Sequence, residues 1–106
     1  MKILFFLLSF LLINPVALAT ESLSTEQKQT LIHLLKNDCG SCHGYTLKGG
    51  LGPALLPLSL QHKNIQFIKN TILNGRAGTA MPPWRSLLSE QEAQFLAETL
   101  KQGLKP

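Results

Sequence analysis

The sequence predicts an all-α domain, and three observations support that fold class. Three segments place apolar residues three and four positions apart, as on one face of a helix. Each segment follows a serine or asparagine that suits a helix N-cap, and no segment alternates apolar and polar residues as a half-buried strand does. Two long stretches rich in glycine and proline separate the helices. We therefore expect three main helices joined by long loops.

The first nineteen residues, MKILFFLLSFLLINPVALA, are predicted to be a secretory signal peptide that is cleaved after Ala19. Lys2 precedes an apolar run of eleven residues, and Ala-Leu-Ala precedes the cleavage point. The alternative is a retained membrane anchor, but spanning a bilayer takes about 20 apolar residues. We expect a periplasmic domain at residues 20–106, with no stable membrane insertion.

The remaining 87 residues form a domain small enough to need a disulfide, a metal or a cofactor for stability. Without Lys2 this part has nine Lys and Arg residues against six Asp and Glu residues, a mild net charge of +3. It has no block of five or six basic residues and no basic stretch interleaved with aromatic residues, so nucleic acid is not expected as a partner.

The first helix is predicted at about residues 25–37. Ser24 is its N-cap, and Gln27 stands three residues later as the capping-box partner. Three leucines form its apolar stripe: Leu31, Leu34 and Leu35.

The second and third helices have clear starting residues. The second is predicted at about residues 65–73, after the N-cap Asn64. The third opens with SEQE, in which Ser89 and Glu92 form a capping box, and it ends before Gly103, which suits the C′ position.

The two connections, residues 44–63 and 75–88, hold most of the glycines and prolines of the domain. Loops of this length without secondary structure of their own are uncommon unless a functional group organises them. Three short helices cannot form a core that orders such loops. We therefore expect a group other than side chains at the centre of the domain.

The segment CGSCH, Cys39 to His43, matches the C-x-x-C-H attachment site of a c-type haem. Two thiols with this spacing can form thioethers with the two vinyl groups of the porphyrin, and the histidine that follows is then held below the ring. We predict that Cys39 and Cys42 attach one haem c covalently and that His43 is the proximal axial ligand of its iron.

Three other interpretations of the two cysteines are less well supported. A thioredoxin-type dithiol normally follows a strand, and a disulfide framework would need more than two cysteines. A zinc site would need a second pair of ligands, and His33 and His62 lack the usual paired spacing. The export signal and the expected central group favour haem.

Met81, in GTAMPPWR, is predicted to be the distal axial ligand. It is the single methionine after residue 19, and it lies on a loop that Pro82 and Pro83 stiffen. The alternative is a core methionine that fills a gap. His/Met ligation raises the reduction potential and leaves no open position on the iron, which is typical of an electron carrier and not of an enzyme or gas sensor. No catalytic residue is expected.

Other polar and aromatic residues are weaker candidates. His62 is the rival sixth ligand, but its polar surroundings favour a solvated surface position. Tyr45 and Trp84 could pack on a haem, although single aromatic residues in small domains more often belong to the core. Three cations in the loops could steer an acidic redox partner, although ordinary solvated charges are the favoured interpretation: Lys48, Arg76 and Arg85.

The chain resembles the class I cytochrome c family from about residue 24 to residue 102. An amino-terminal helix, CGSCH, Gly52-Pro53, a middle helix, Met81-Pro82 and a carboxy-terminal helix occur in the order of that family. The resemblance implies that the terminal helices cross and that the Pro53 carbonyl accepts a hydrogen bond from the His43 ring. Where many members have a glycine and an aromatic residue at the crossing, this chain has Leu31 and Leu35. The sequence therefore does not determine how the two terminal helices cross.

The loops DCGSCHGYTLKGGLGPAL and NGRAGTAMPPWRSLLSE look like those of the cytochrome c55X subgroup. That resemblance implies a one-electron carrier of denitrification that donates electrons to the haem-containing nitrite reductase. It implies, as an alternative, an accessory factor in the maturation of that reductase.

Overall fold

A computed structural model of the chain describes residues 12–18 and 21–105. The predicted signal peptide depends on residues 1–11 and its cleavage on Ala19, and these lie outside the described residues. Across the two described ranges, no helix is both long enough and apolar enough to cross a bilayer.

The described residues form helices and no strand, which confirms the predicted all-α class. We number the α-helices in chain order, and a π-helical segment, Leu35–Cys39, lies between the first two. They are α1 Thr25–Leu34, α2 Gly40–His43, α3 Pro57–Leu60, α4 Ile65–Asn74 and α5 Glu90–Gln102.

The predicted N-caps begin three of the helices. In α1 the Ser24 hydroxyl accepts a hydrogen bond from the Gln27 amide, and the Gln27 side chain accepts one from the Ser24 amide. Ser89 and Glu92 form the same reciprocal pair at α5. The Asn64 side chain accepts a hydrogen bond of 2.7 Å from the Phe67 amide at the start of α4. These bonds satisfy amide groups that have no partner within the first turn of a helix.

The first helical region extends beyond the predicted end at Asn37. Helical backbone continues through the π-helical segment and α2 as far as His43, and Gly44 ends it with a φ of 87°. The wider π-helical turn shifts the side-chain periodicity, so a stripe with a period of 3.6 residues cannot reveal the continuation. The attachment motif is therefore helical.

The predicted loop at residues 44–63 contains the short helix α3. Pro57 occupies its first turn, a position that proline favours. The Lys101 ammonium of α5 donates a hydrogen bond of 2.6 Å to the Lys63 carbonyl, and longer ones of 3.5 Å to the Leu60 and Gln61 carbonyls. A lysine that is distant in the sequence thus satisfies backbone carbonyl groups at and just after the end of α3.

The core consists of buried aliphatic side chains from the helices and the loops. α4 packs along α5, and α1 and α3 also contact α5. Leu31 and Leu35 belong to the same buried cluster as Ala93 and Ala97 of α5, and both alanines are completely buried. Leucines of the first helical region and small residues of α5 therefore share one buried core.

Candidate functional site

A cavity of about 740 Å³ lies beside the core. Its volume falls within the range of roughly 300–1,000 Å³ that is usual for cofactor pockets. Five buried leucine and isoleucine side chains of the core also line the cavity: Leu35, Leu60, Ile68, Leu96 and Leu100. The structure thus has room for a large apolar group next to the core, as the long loops predicted.

The predicted site residues meet at this cavity. They are Cys39, Cys42, His43, Pro53 and Met81, and the first and the last lie 42 positions apart along the chain.

Among the weaker candidates, Trp84 and Arg76 also line the cavity. His62 and His33 are exposed and are not among the lining residues. Tyr45 is 71% exposed, so it is not a core residue.

The π-helical segment and α2 place the two cysteines on one wall of the cavity. The Asn37 side chain donates a hydrogen bond of 2.8 Å to the His33 carbonyl, and the Ser41 hydroxyl donates one of 2.7 Å to the Asp38 carbonyl. These bonds from side chains to the backbone support the helical path on both sides of Cys39. The π-helical turn could not be predicted from the sequence pattern.

Cys39 and Cys42 form no disulfide with each other. Burial, and to a smaller extent the neighbouring Asp38 carboxylate, raises the pKa of the Cys39 thiol to about 11. The free thiol is therefore neutral near pH 7. A thioether carries no charge, so the same apolar wall suits the attached form of this side chain.

The His43 ring is oriented by the loop that follows α2. Its Nδ1 lies 2.7 Å from the Pro53 carbonyl oxygen, the contact that the family resemblance implied. Because a carbonyl oxygen can only accept, Nδ1 carries the proton, and in the neutral ring Nε2 then keeps its lone pair. A partner on one ring nitrogen fixes the tautomer and makes the other nitrogen a stronger donor to a metal.

Gly52 lies directly against the His43 ring. A Cβ atom added at Gly52 would lie 2.8 Å from Cε1 and 2.9 Å from Nδ1 of that ring, closer than such atoms can approach. The Gly52 amide donates a hydrogen bond of 2.8 Å to the Cys42 carbonyl, which brings the loop back over the motif. In the sequence, the pair Gly52-Pro53 was the only sign that Gly52 lies against the His43 ring.

Met81 is half-buried on the loop between α4 and α5. Its amide donates a hydrogen bond of 3.3 Å to the Thr79 hydroxyl, and its carbonyl accepts one of 3.2 Å from the Arg76 amide. The loop thus holds the methionine through its backbone, while the side chain faces the cavity together with the two cysteines and His43.

Arg85 closes the base of the same loop. Its guanidinium donates hydrogen bonds of 2.9 and 3.1 Å to the Asn74 side chain and one of 3.2 Å to Glu90. Lys48, another cation considered for steering, is exposed and is not among the residues that line the cavity.

The donors at the cavity fit haem c. They are two thiols, one imidazole with a free Nε2 and one thioether, in a largely aliphatic lining. Within residues 12–18 and 21–105, no group of three or more His, Cys, Asp or Glu side chains is arranged to hold a metal ion. Zinc would prefer such a set of ligands, whereas iron in a porphyrin needs only the two axial ligands.

The chain is similar to several known proteins. The family model described as cytochrome c oxidase, cbb3-type, subunit III matches residues 24–98. Cytochrome c55X of Stutzerimonas stutzeri is 48% identical over 97 residues, which cover 92% of this chain and 84% of that protein.

Two solved structures are also similar. The c-type cytochrome NirC superposes with a TM-score of 0.74 at 46% identity, covering 76% of this chain and 94% of that one. The dihydro-heme d1 dehydrogenase NirN in complex with DHE gives a TM-score of 0.65 at 33% identity. That match covers 71% of this chain but only 16% of the dehydrogenase.

Proposed function

The chain belongs to the c-type cytochrome family, and we propose on that basis that it is a periplasmic one-electron carrier of denitrification that donates electrons to the haem-containing nitrite reductase. The observation that carries the proposal is a single cavity lined by both motif cysteines, by His43 with its free Nε2 and by Met81. Similarity to cytochrome c55X and NirC supports the link to nitrite reduction.

Cys39 and Cys42 are the proposed thioether residues, and His43 and Met81 are the proposed axial ligands. Haem c supplies a one-electron couple when it is bound, and the chain sets the environment of that couple. Pro53 and Gly52 hold the imidazole from the side of Nδ1. His43 and Met81 would together leave no open position on the iron for a substrate, so the chain would transfer electrons without catalysing a reaction of its own.

The aliphatic lining contributes to the reduction potential. Oxidised iron in the porphyrin carries a net positive charge that reduced iron lacks, and an apolar surrounding disfavours that charge. Burial therefore raises the reduction potential, as thioether ligation also does. Because the lining is apolar, few water molecules have to reorient around the haem when it gains or loses an electron.

Export is part of the proposal, with a signal peptide at residues 1–19 and a mature domain at residues 20–106. Four apolar side chains in the described part of the proposed signal are 78–94% exposed and do not join the core: Leu12, Ile13, Val16 and Leu18. Such a segment adds nothing to the packing of the domain, as is expected of one that is removed.

A second candidate function is an accessory role in the maturation of the nitrite reductase. The similarity to part of a dihydro-heme d1 dehydrogenase favours it, because a domain of this kind occurs there within a protein whose name refers to another haem. The two candidates share the haem and the electron chemistry, and they differ in the partner that the chain serves.

Stopped-flow mixing of the reduced holoprotein with oxidised nitrite reductase tests the proposal. We expect rapid oxidation of the carrier, with a rate that rises with the reductase concentration. A negligible rate, together with loss of active reductase in cells that lack this chain, would favour the maturation role. Met81→Ala is the internal control, since loss of the thioether ligand should produce high-spin iron and lower the reduction potential.

A further inference from the structure

The loop that carries Met81 rests on the last turn of α4. Two backbone hydrogen bonds join its far end to that turn: the Trp84 amide donates to the Ile72 carbonyl at 3.0 Å, and the Arg85 amide to the Leu73 carbonyl at 3.1 Å. At its near end the Arg76 amide donates to the Met81 carbonyl at 3.2 Å. The loop is thus attached to α4 after the methionine, and the Arg76 amide closes it on itself at the methionine.

Gly75 lies at the centre of this contact. It follows α4 with a φ of 67° and a ψ of −166°, a combination that is essentially restricted to glycine. A Cβ atom added there would lie 2.6 Å from the Met81 carbonyl oxygen, and 2.8 Å from backbone atoms of both Pro82 and Pro83. Only a residue without a side chain allows the methionine loop to approach the helix so closely.

We propose that Gly75 is a positioning residue that sets the distance between the Met81 backbone and α4, and thereby keeps the thioether in place as an axial ligand. This inference rests on the proposed ligand role of Met81. To restore ordinary contact at 3.4 Å, the Met81 carbonyl would have to move about 0.8 Å from its 2.6 Å position. Pro82 and Pro83 stiffen the backbone, so that movement carries Met81 with it.

Gly78 provides a matched control in the same loop. It also has a positive φ, 74°, but a Cβ atom added there meets nothing within 4 Å. Gly78→Ala therefore introduces a side chain at an unfavourable φ without contact with the methionine backbone. A difference between the two alanine variants therefore reports the close approach and the glycine-only ψ of Gly75, beyond the general effect of losing a glycine with a positive φ.

The experiment compares holoproteins with Gly75→Ala, Gly78→Ala and Met81→Ala. For each, the spin state, the reduction potential and carbon monoxide binding to the reduced protein are measured, and far-UV circular dichroism confirms folding. We expect Gly75→Ala to resemble Met81→Ala, with high-spin iron, a lower potential and carbon monoxide binding. Gly78→Ala should keep low-spin iron and exclude carbon monoxide, as we expect of the unmodified protein.

Two results would overturn the inference: a Gly75→Ala variant that keeps low-spin iron, or equal effects of Gly75→Ala and Gly78→Ala. If Met81→Ala itself changes nothing, the ligand assignment in the proposed function fails as well, so the two failures are distinguishable. If Gly75→Ala does not fold, a second comparison replaces it: the double variant Gly75→Ala/Pro83→Gly against the single variant Pro83→Gly. Glycine at position 83 makes the loop more flexible, so the loop can move away from the new methyl group and the protein can fold. Carbon monoxide binding is expected in the double variant only, and its absence there would also refute the inference.

Discussion

Replacing Gly52 with alanine tests how the loop before Pro53 holds the His43 ring. The new Cβ would lie 2.8 Å from Cε1 and 2.9 Å from Nδ1, whereas carbon atoms in contact normally lie about 3.5–4.0 Å apart. Gly52 does not have a positive φ, so alanine brings no backbone strain of its own. The whole effect should therefore come from the displaced ring.

The magnitude follows from the geometry. A ring displaced by roughly 0.7 Å away from Gly52 can no longer keep the 2.7 Å hydrogen bond with the Pro53 carbonyl. Overpacking costs about 1–3 kcal/mol and the lost hydrogen bond about 1 kcal/mol, so we expect a destabilisation of about 2–4 kcal/mol. For a domain of this size, that lowers the Tm by roughly 8–32 °C.

Thermal unfolding and redox titration of the Gly52→Ala holoprotein are the assays. Because the hydrogen bond at Nδ1 makes the imidazole a stronger donor, its loss should raise the reduction potential, whereas loss of Met81 should lower it. Thr46→Ala is the control, since Thr46 is exposed in the turn after α2 and does not line the cavity. An unchanged Tm and potential in Gly52→Ala would refute this account of how His43 is held.

Two further predictions concern contacts between the helices. Lys101→Met should lower the free energy of unfolding by about 1.5–3 kcal/mol, the usual value of a hydrogen bond to a charged group, because it removes the bond to the Lys63 carbonyl. Thermal unfolding should show this as a Tm that is lower by roughly 6–24 °C. The control is Lys105→Met, which changes an exposed lysine and should leave the Tm unchanged. Hydrogen bonds from Lys69 and Arg85 lower the pKa of Glu90 from 4.5, so the stability it contributes is fully present above pH 4.5 and is lost as the pH falls through the lowered value. Thermal melts across this pH range should show that Glu90→Gln is slightly less stable than the parent protein at pH 7 and equally stable at low pH. A difference in stability that persists at low pH would contradict the role given to the Glu90 carboxylate.

Local signals in the sequence were sufficient to predict much of the fold. The capping residues Ser24, Asn64 and Ser89 mark helix starts because their side chains bond to amide groups only two or three residues away. The attachment motif is equally local, since its spacing is set by the porphyrin. These features need no knowledge of the rest of the chain.

The parts that could not be predicted depend on contacts between distant segments. α3 has only four residues, too few for a periodic pattern, and Lys101 bonds to the carbonyl of its last residue, Leu60, from 41 positions away. Arg85 was considered as a charge that steers a partner, but the structure joins its guanidinium to Asn74, 11 residues earlier. The contact of Gly75 with the methionine loop likewise appears only when the chain is folded.

The central claim is that this polypeptide holds one haem c covalently through Cys39 and Cys42. Intact mass spectrometry of the exported protein under denaturing conditions tests it most directly, because only a thioether-linked haem remains with the unfolded chain. We predict the mass of residues 20–106 plus one haem, and loss of this attached mass when both cysteines are replaced by serine. A mass equal to that of the bare polypeptide would contradict the account.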